Sequence, residues 1–206
     1  MWLAIVVGLL TCYLLGNING AICISALHND DVRSHGSGNA GLTNFIRNYG
    51  RKQALYVILI DAGKTVLACL VMGLLLDPYG YYLEGRTLGG LVVMVGHAFP
   101  ALLGFRGGKG ILSGLFIGIS VDWWIAVLAL AVFLGIYFAT RYVSLGSILG
   151  AITLSFGFVL FYFDNLFVML CGILMGSLAV FMHRTNIIRL LQGNERKTHL
   201  FRNIKE

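Results

Sequence analysis

Ser34–Arg47 reads Ser-His-Gly-Ser-Gly-Asn-Ala-Gly-Leu-Thr-Asn-Phe-Ile-Arg, a polar, glycine-rich interruption in a chain that is otherwise mostly apolar. An apolar run precedes it at 2–27 and another follows at 53–76. Each is long enough for a hydrocarbon core of about 30 Å. The stretch therefore reads as a loop between two membrane helices. Gly36, Gly38 and Gly41 let the backbone turn tightly and aim its N–H groups at a ligand. Ser37, Asn39, Thr43 and Asn44 add neutral hydrogen-bonding groups, and Arg47 adds a rigid fork of donors. The combination predicts a phosphate pocket. A plain solvated loop has no need of so many small residues beside so many donors.

Composition agrees with membrane burial. Hydrophobic residues make up 58% of the chain and charged residues 12%, against about 25% charged in soluble domains. Mean hydropathy is +0.83. Further apolar segments lie at 87–104, 110–121, 123–140, 148–163 and 166–182, joined by short connections. They leave no room for a separate soluble domain, so residues 1–206 read as one membrane-embedded unit. The expected fold is an all-α integral membrane protein with seven transmembrane helices. The run at 110–121 is so short that it is tilted or re-entrant if it does not simply span. No basic region precedes the first run, so Trp2 reads as the interfacial anchor of a retained helix.

Charge orients the bundle. With the N-terminus outside, the inner connections hold Arg33, Arg47, Arg51, Lys52, Arg106, Lys109, Arg141 and all six basic residues from Arg184 onward. The outer turns hold Arg86 as their only basic residue, with Asp77, Glu84, Asp122 and Asp164. This is the positive-inside asymmetry, and it puts the C-terminus and every polar cluster on the cytoplasmic face.

The second polar cluster is Gly104-Phe-Arg-Gly-Gly-Lys-Gly110. It is not a P-loop: Gly110 stands where Ser or Thr would hold magnesium, the first glycine is one residue too close, and no strand precedes it. Gly107, Gly108 and Gly110 at the start of a helix still favour an anion, Lys109 adds a point charge, and Arg106 serves the ligand or the lipid headgroups. The third cluster places His183 and Asn186 on one helix face, with Arg189 continuing the line. A histidine there can act as a general base. His35 and His97 flank the polar sites and read as structural. Asp61 and Lys64, at i,i+3 within an apolar helix, either contribute to an anionic site or form a buried pair that fixes helix packing. Gly16-Asn-Ile-Asn-Gly20 has the spacing of close helix packing, with its two Asn side chains facing protein. Cys12, Cys23, Cys69 and Cys171 sit singly within apolar segments and suggest neither a metal site nor a disulfide framework.

Gly36–Asn44 with Arg47, Gly96-His-Ala-Phe-Pro100 with Gly107-Gly-Lys-Gly110, and His183-Arg-Thr-Asn186 with Arg189, Gly193 and Glu195 resemble the three motifs of the bacterial acyl-phosphate-dependent glycerol-3-phosphate acyltransferases, the PlsY type. Asp61 and Lys64 are similar to the family's Asp-x-x-Lys-Gly, with Thr65 where Gly is usual. The resemblance implies transfer of a fatty acyl group from acyl phosphate to the 1-hydroxyl of glycerol 3-phosphate, giving lysophosphatidic acid and inorganic phosphate. It implies a seven-helix inner-membrane protein with its site at the cytoplasmic face. By motif matching, Ser37, Thr43, Asn44, Arg47, Lys109, His183 and Asn186 would line that site, with Ser144 or Ser147 from the Arg-x-x-Ser link. The partners expected are the two substrates and membrane lipid. Neither nucleic acid nor any cofactor or metal is expected. The rival class is a transporter or channel for a phosphorylated solute, which would suit Asp61–Lys64 and the many glycines. Against it, the polar clusters gather on one face and the chain shows no two-half repeat.

Overall fold

The computed structural model describes residues 1–198, and all regular structure among them is helical. In chain order the α-helices are α1 Trp2–Asn17, α2 Gly20–Ala26, α3 Leu42–Tyr49, α4 Arg51–Leu76 and α5 Tyr82–Ala98. They continue as α6 Ile111–Val121, α7 Trp123–Thr140, α8 Val143–Phe161, α9 Leu166–Met182 and α10 Arg184–Leu191. Two of the six basic residues counted from Arg184 onward, Arg202 and Lys205, lie outside the described residues.

The chain is a multi-pass membrane protein. Four helices (α4, α5, α7 and α8, two of them with short extensions) are long and apolar enough to cross a bilayer alone. The count reaches six if the bent pairs α1–α2 (47°) and α9–α10 (56°) are each one span. α6 has 11 residues and is about 16 Å long, roughly half a hydrocarbon core.

Two expectations need correction. The run at 2–27 is not one helix. Ile18 and Asn19 are extended, and the Asn19 side chain accepts from Ile22 N to cap α2, so the chain restarts at a new angle. The glycine-rich stretch is not loop throughout. Residues 42–49 form α3, whose Phe45 and Ile46 pack with Ala21, Ile24 and Val57, while Arg47 and Asn48 are exposed.

Packing follows small residues and apolar stripes. Gly16 of α1 and Gly96 of α5 meet backbone to backbone: a Cβ on Gly16 would stand 2.5 Å from the Val93 carbonyl. α4 lies against α1, α2, α3, α5 and α6 and ties two halves of the bundle together. One apolar core joins Cys69, Met94, Ile117, Leu154, Phe158 and Met175 from α4, α5, α6, α8 and α9. A smaller one joins Cys12, Ala68, Met72 and Val93. Leu10, Leu14, Leu59, Leu74, Phe156 and Leu174 point outward, as lipid-facing positions do.

Candidate active site

The helices enclose a cavity of about 550 Å³ with two chemically distinct parts. One is polar, lined by the first loop, Lys109, His183, Asn186, Arg189, Glu195 and Arg196. The other is apolar, lined by Leu112, Leu115, Leu130, Phe133, Ala151 and Leu154. The N-terminal turns of α3, α6 and α8 all reach this cavity, through Leu42 and Thr43, Ile111 and Leu112, and Val143 and Ser144. The first N–H groups of a helix have no intrahelical partner and carry partial positive charge, so three such termini around one space favour an anion. Besides Asp61, which is paired to Lys64, the lining sets Arg47, Lys109, Arg189 and Arg196 against the single carboxylate of Glu195.

Gly36, Ser37, Asn39, Thr43, Asn44 and Arg47 come to the cavity wall from the first loop and α3. Ser37 is exposed there. Asn44 also braces its own loop. Its amide donates to the carbonyls of Val32 (3.0 Å), His35 (3.1 Å) and Asn39 (3.2 Å), and its oxygen accepts from Ser37 N (3.0 Å). With its amide and its oxygen hydrogen-bonded inside the loop, Asn44 shapes this wall of the pocket. Gly36 (φ +60°) and Gly38 (φ +70°) make the left-handed turns this requires. Arg47 reaches across to the hydroxyl of Thr198, and Tyr137 Oη donates to the Thr198 carbonyl (3.1 Å), so the chain beyond α10 is fastened over this side of the site.

From the second cluster, Lys109 and Gly110 reach the cavity. Gly107 and Gly108 do not line it; they lie against His97. Arg106 borders a separate cleft with Asp31, Arg33 and Ser34. Lys109 donates to Asn186 Oδ1, Asn186 Nδ2 donates to Glu195 Oε1 (2.7 Å), and Arg189 Nε donates to Glu195 Oε2 (2.7 Å). Burial and the nearby Arg189 and Arg47 charges, partly offset by Glu195, push the Lys109 ammonium down to about 8. Burial pushes the Glu195 carboxyl up, but the hydrogen bonds from Asn186 and Arg189 outweigh it and hold the group below its usual range.

His183 is buried where α9 turns into α10, and its Nδ1 stands 2.8 Å from the Ala179 carbonyl. A carbonyl can only accept, so Nδ1 carries the proton and the neutral ring keeps its lone pair on Nε2. Ser144 and Ser147 are both buried and both line the cavity, from the first turns of α8 rather than from the link before it. Arg189, Glu195 and Arg196 complete the polar wall. Spacing along α10 suggested Arg189 and the third motif included Glu195, whereas Arg196 lies in irregular chain that carries no periodic signal.

Asp61 and Lys64 pair at 2.7 Å, each almost fully buried. Asp61 borders the cavity together with His97.

Comparison with known proteins places this architecture. The model of the glycerol-3-phosphate acyltransferase family matches residues 6–193. The chain is 40% identical over 192 residues to a glycerol-3-phosphate acyltransferase of Thermoanaerobacter sp. (strain X514), covering 90% of this chain and 91% of that one. It is 37% identical over 186 residues to the protein of the same name from Aquifex aeolicus (strain VF5), covering 90% and 94%. Among solved structures, it is similar to PlsY (YgiH), an integral membrane glycerol 3-phosphate acyltransferase. Against the glycerol 3-phosphate form the TM-score is 0.83 at 32% identity, covering 96% of this chain and 98% of that one. Against the lysophosphatidic acid form it is 0.82 at 34%, covering 94% and 95%. The transport reading is thereby set aside: this chain belongs to the glycerol-3-phosphate acyltransferase family.

Proposed function

We propose that the chain moves a fatty acyl group from acyl phosphate to the 1-hydroxyl of sn-glycerol 3-phosphate, releasing lysophosphatidic acid and inorganic phosphate. The observation that carries this reading is the two-part cavity. Its cation-rich end with three helix N-termini suits phosphate groups, and its apolar end suits a fatty tail. The substrate and product named for the structural relatives fit the same division.

The reaction follows from these positions. The glycerol hydroxyl attacks the carbonyl carbon of acyl phosphate, a C–O bond forms, and the anhydride C–O bond to phosphate breaks. Lys109 and Arg47 oppose the charge on the phosphates, and the α6 N-terminus adds its dipole. The hydroxyl proton goes to Nε2 of His183 or to an oxygen of the acyl phosphate itself. Ser37, exposed in the pocket, holds a reacting group directly, and Asn186 acts on one through the Lys109 ammonium that it orients. A mixed anhydride is already activated, so positioning and electrostatics suffice and no acyl-enzyme is needed.

Seven crossings, an outer N-terminus and a site facing the cytoplasm complete the proposal. The basic residues of the connections support it. A cysteine introduced near Glu84 should react with reagents added from outside and not with those confined to the cytoplasm. The activity test uses purified, reconstituted protein with labelled glycerol 3-phosphate. Palmitoyl phosphate should give lysophosphatidic acid and an equal amount of phosphate, and palmitoyl-CoA should give neither. Product from palmitoyl-CoA alone would overturn the donor assignment.

A further inference from the structure

Asp61 and Lys64 are buried at 2% and 5% exposure, Asp61 at the edge of the cavity and Lys64 behind it. A buried ion pair is a weak stabiliser, because taking both charges out of water opposes their attraction. Within a membrane helix an ionisable residue points first to function. What the pair touches decides between the two roles. Lys64 Nζ donates to Asp61 Oδ1 (2.7 Å), to the Ile18 carbonyl and to His97 Nδ1 (2.8 Å). An ammonium has three donors and no lone pair, so all three are used, and His97 Nδ1 is an acceptor with the ring proton on Nε2. Lys64 therefore has no donor left for a substrate. Asp61 Oδ1 also accepts from Gly20 N at 3.1 Å. The pair thus satisfies one carbonyl and one N–H at the break between α1 and α2.

His97 carries the cluster to the site. Gly108 N donates to the His97 carbonyl at 3.0 Å. The two residues are so close that a Cβ on Gly108 would stand 2.1 Å from His97 Nε2 and 2.9 Å from the Ala40 carbonyl. That same carbonyl accepts from Asn19 Nδ2 (3.0 Å), a residue of the break. Ala40 belongs to the loop of Ser37, and Gly108 is the neighbour of Lys109. The two phosphate-handling segments therefore meet on one surface, made by His97 and Asn19, with Asp61 at its edge and Lys64 joining Asp61 and His97 from behind.

We infer that Asp61, Lys64 and His97 are positioning residues that fix the separation between the Ser37 loop and Lys109, so that both walls of the phosphate pocket stand in place before substrate enters. The inference rests on the phosphate role proposed for Lys109. The test is a double-mutant cycle in purified, reconstituted enzyme. Asp61→Asn with Lys64→Met removes both charges together and leaves no unpaired ion. His97→Asn, which alters no charge pair, is the second variant. For each, KM for glycerol 3-phosphate should rise at least tenfold while kcat changes less than threefold. Binding of labelled glycerol 3-phosphate should weaken by the same factor, and by less than twofold more when Lys109→Ala is already present. An unchanged KM in both variants overturns the inference. So does an equal loss of binding in the two backgrounds, the mark of general loosening. Unaltered binding in Lys109→Ala alone would instead overturn the phosphate role of Lys109, and this inference with it.

Discussion

Lys109 and Asn186, 77 residues apart, are joined side chain to side chain, the lysine ammonium donating to the Asn186 carbonyl oxygen. Because the Asn186 amide nitrogen is committed to Glu195, the oxygen can face only the lysine. The contact fuses the second and third polar clusters into one wall. Replacing Lys109 by Ala removes the cation and leaves that oxygen without its donor. We expect kcat/KM to fall by about 10²-fold, the usual cost of one preorganised electrostatic donor. The check is steady-state kinetics on protein whose insertion and thermal midpoint match the parent.

The same lysine sets a pH dependence. Its ammonium is pushed down to about 8 in the free enzyme. A bound phosphate dianion favours the charged form, so its pKa rises on binding and binding takes up a proton above about 8. The phosphate is mostly dianionic above about pH 6. Affinity for glycerol 3-phosphate should thus be greatest between these limits and weaken as pH rises past 8. KM measured from pH 6.5 to 9.5 should climb in the parent. It should stay flat above pH 8 in Lys109→Arg, whose guanidinium remains charged.

Much of this was legible in sequence, because membrane burial writes itself in long apolar runs and phosphate chemistry in glycine and cations. What escaped was set by geometry between distant segments. Asn44 carries the groups of a ligand contact, yet three carbonyls of its own loop claim its amide. Residues 42–49 hide a helix because polar and small residues crowd its start, though Leu42, Phe45, Ile46 and Tyr49 have the spacing of an apolar face. Asn19 was read as a polar residue within one helix, and it is the cap that begins the next. Gly107 and Gly108 read as a phosphate cradle, but their missing side chains make room for His97.

His183 offers a second test, because its tautomer is fixed by the Ala179 carbonyl. A positioned base contributes about 10²- to 10⁴-fold. His183→Ala should therefore lower kcat by at least 10²-fold with little change in KM for either substrate. A loss below tenfold would assign the proton to the acyl phosphate oxygen.

Glu195 holds Asn186 with one oxygen and Arg189 with the other. Glu195→Ala leaves the buried Asn186 amide without its acceptor, which costs about 1–3 kcal/mol. We expect at least a tenfold drop in kcat/KM, with Glu195→Gln between that variant and the parent because it retains one acceptor oxygen. The carboxyl lies below its usual range in the folded protein. Its contribution to stability is therefore full above the unfolded value, about 4.3, and is lost as pH falls through the lower folded value. Thermal midpoints from pH 3 to 7 should converge for parent and Glu195→Gln at the acid end.

Ala151 tests the apolar half of the cavity. It is buried on α8, and it lines the space with Leu112, Leu115, Phe133 and Leu154. Enlarging it to Leu adds three carbons where a fatty tail would lie. Each methylene of tail that loses its place forgoes about 0.8 kcal/mol, roughly fourfold in kcat/KM. The preferred acyl phosphate should therefore shorten by about three carbons, with the shortest donors unaffected and the longest most impaired. Acyl phosphates of ten to eighteen carbons, compared in parallel, give the profile. A uniform loss at every length would mean that Ala151 only packs the bundle, and the tail would then have to lie elsewhere.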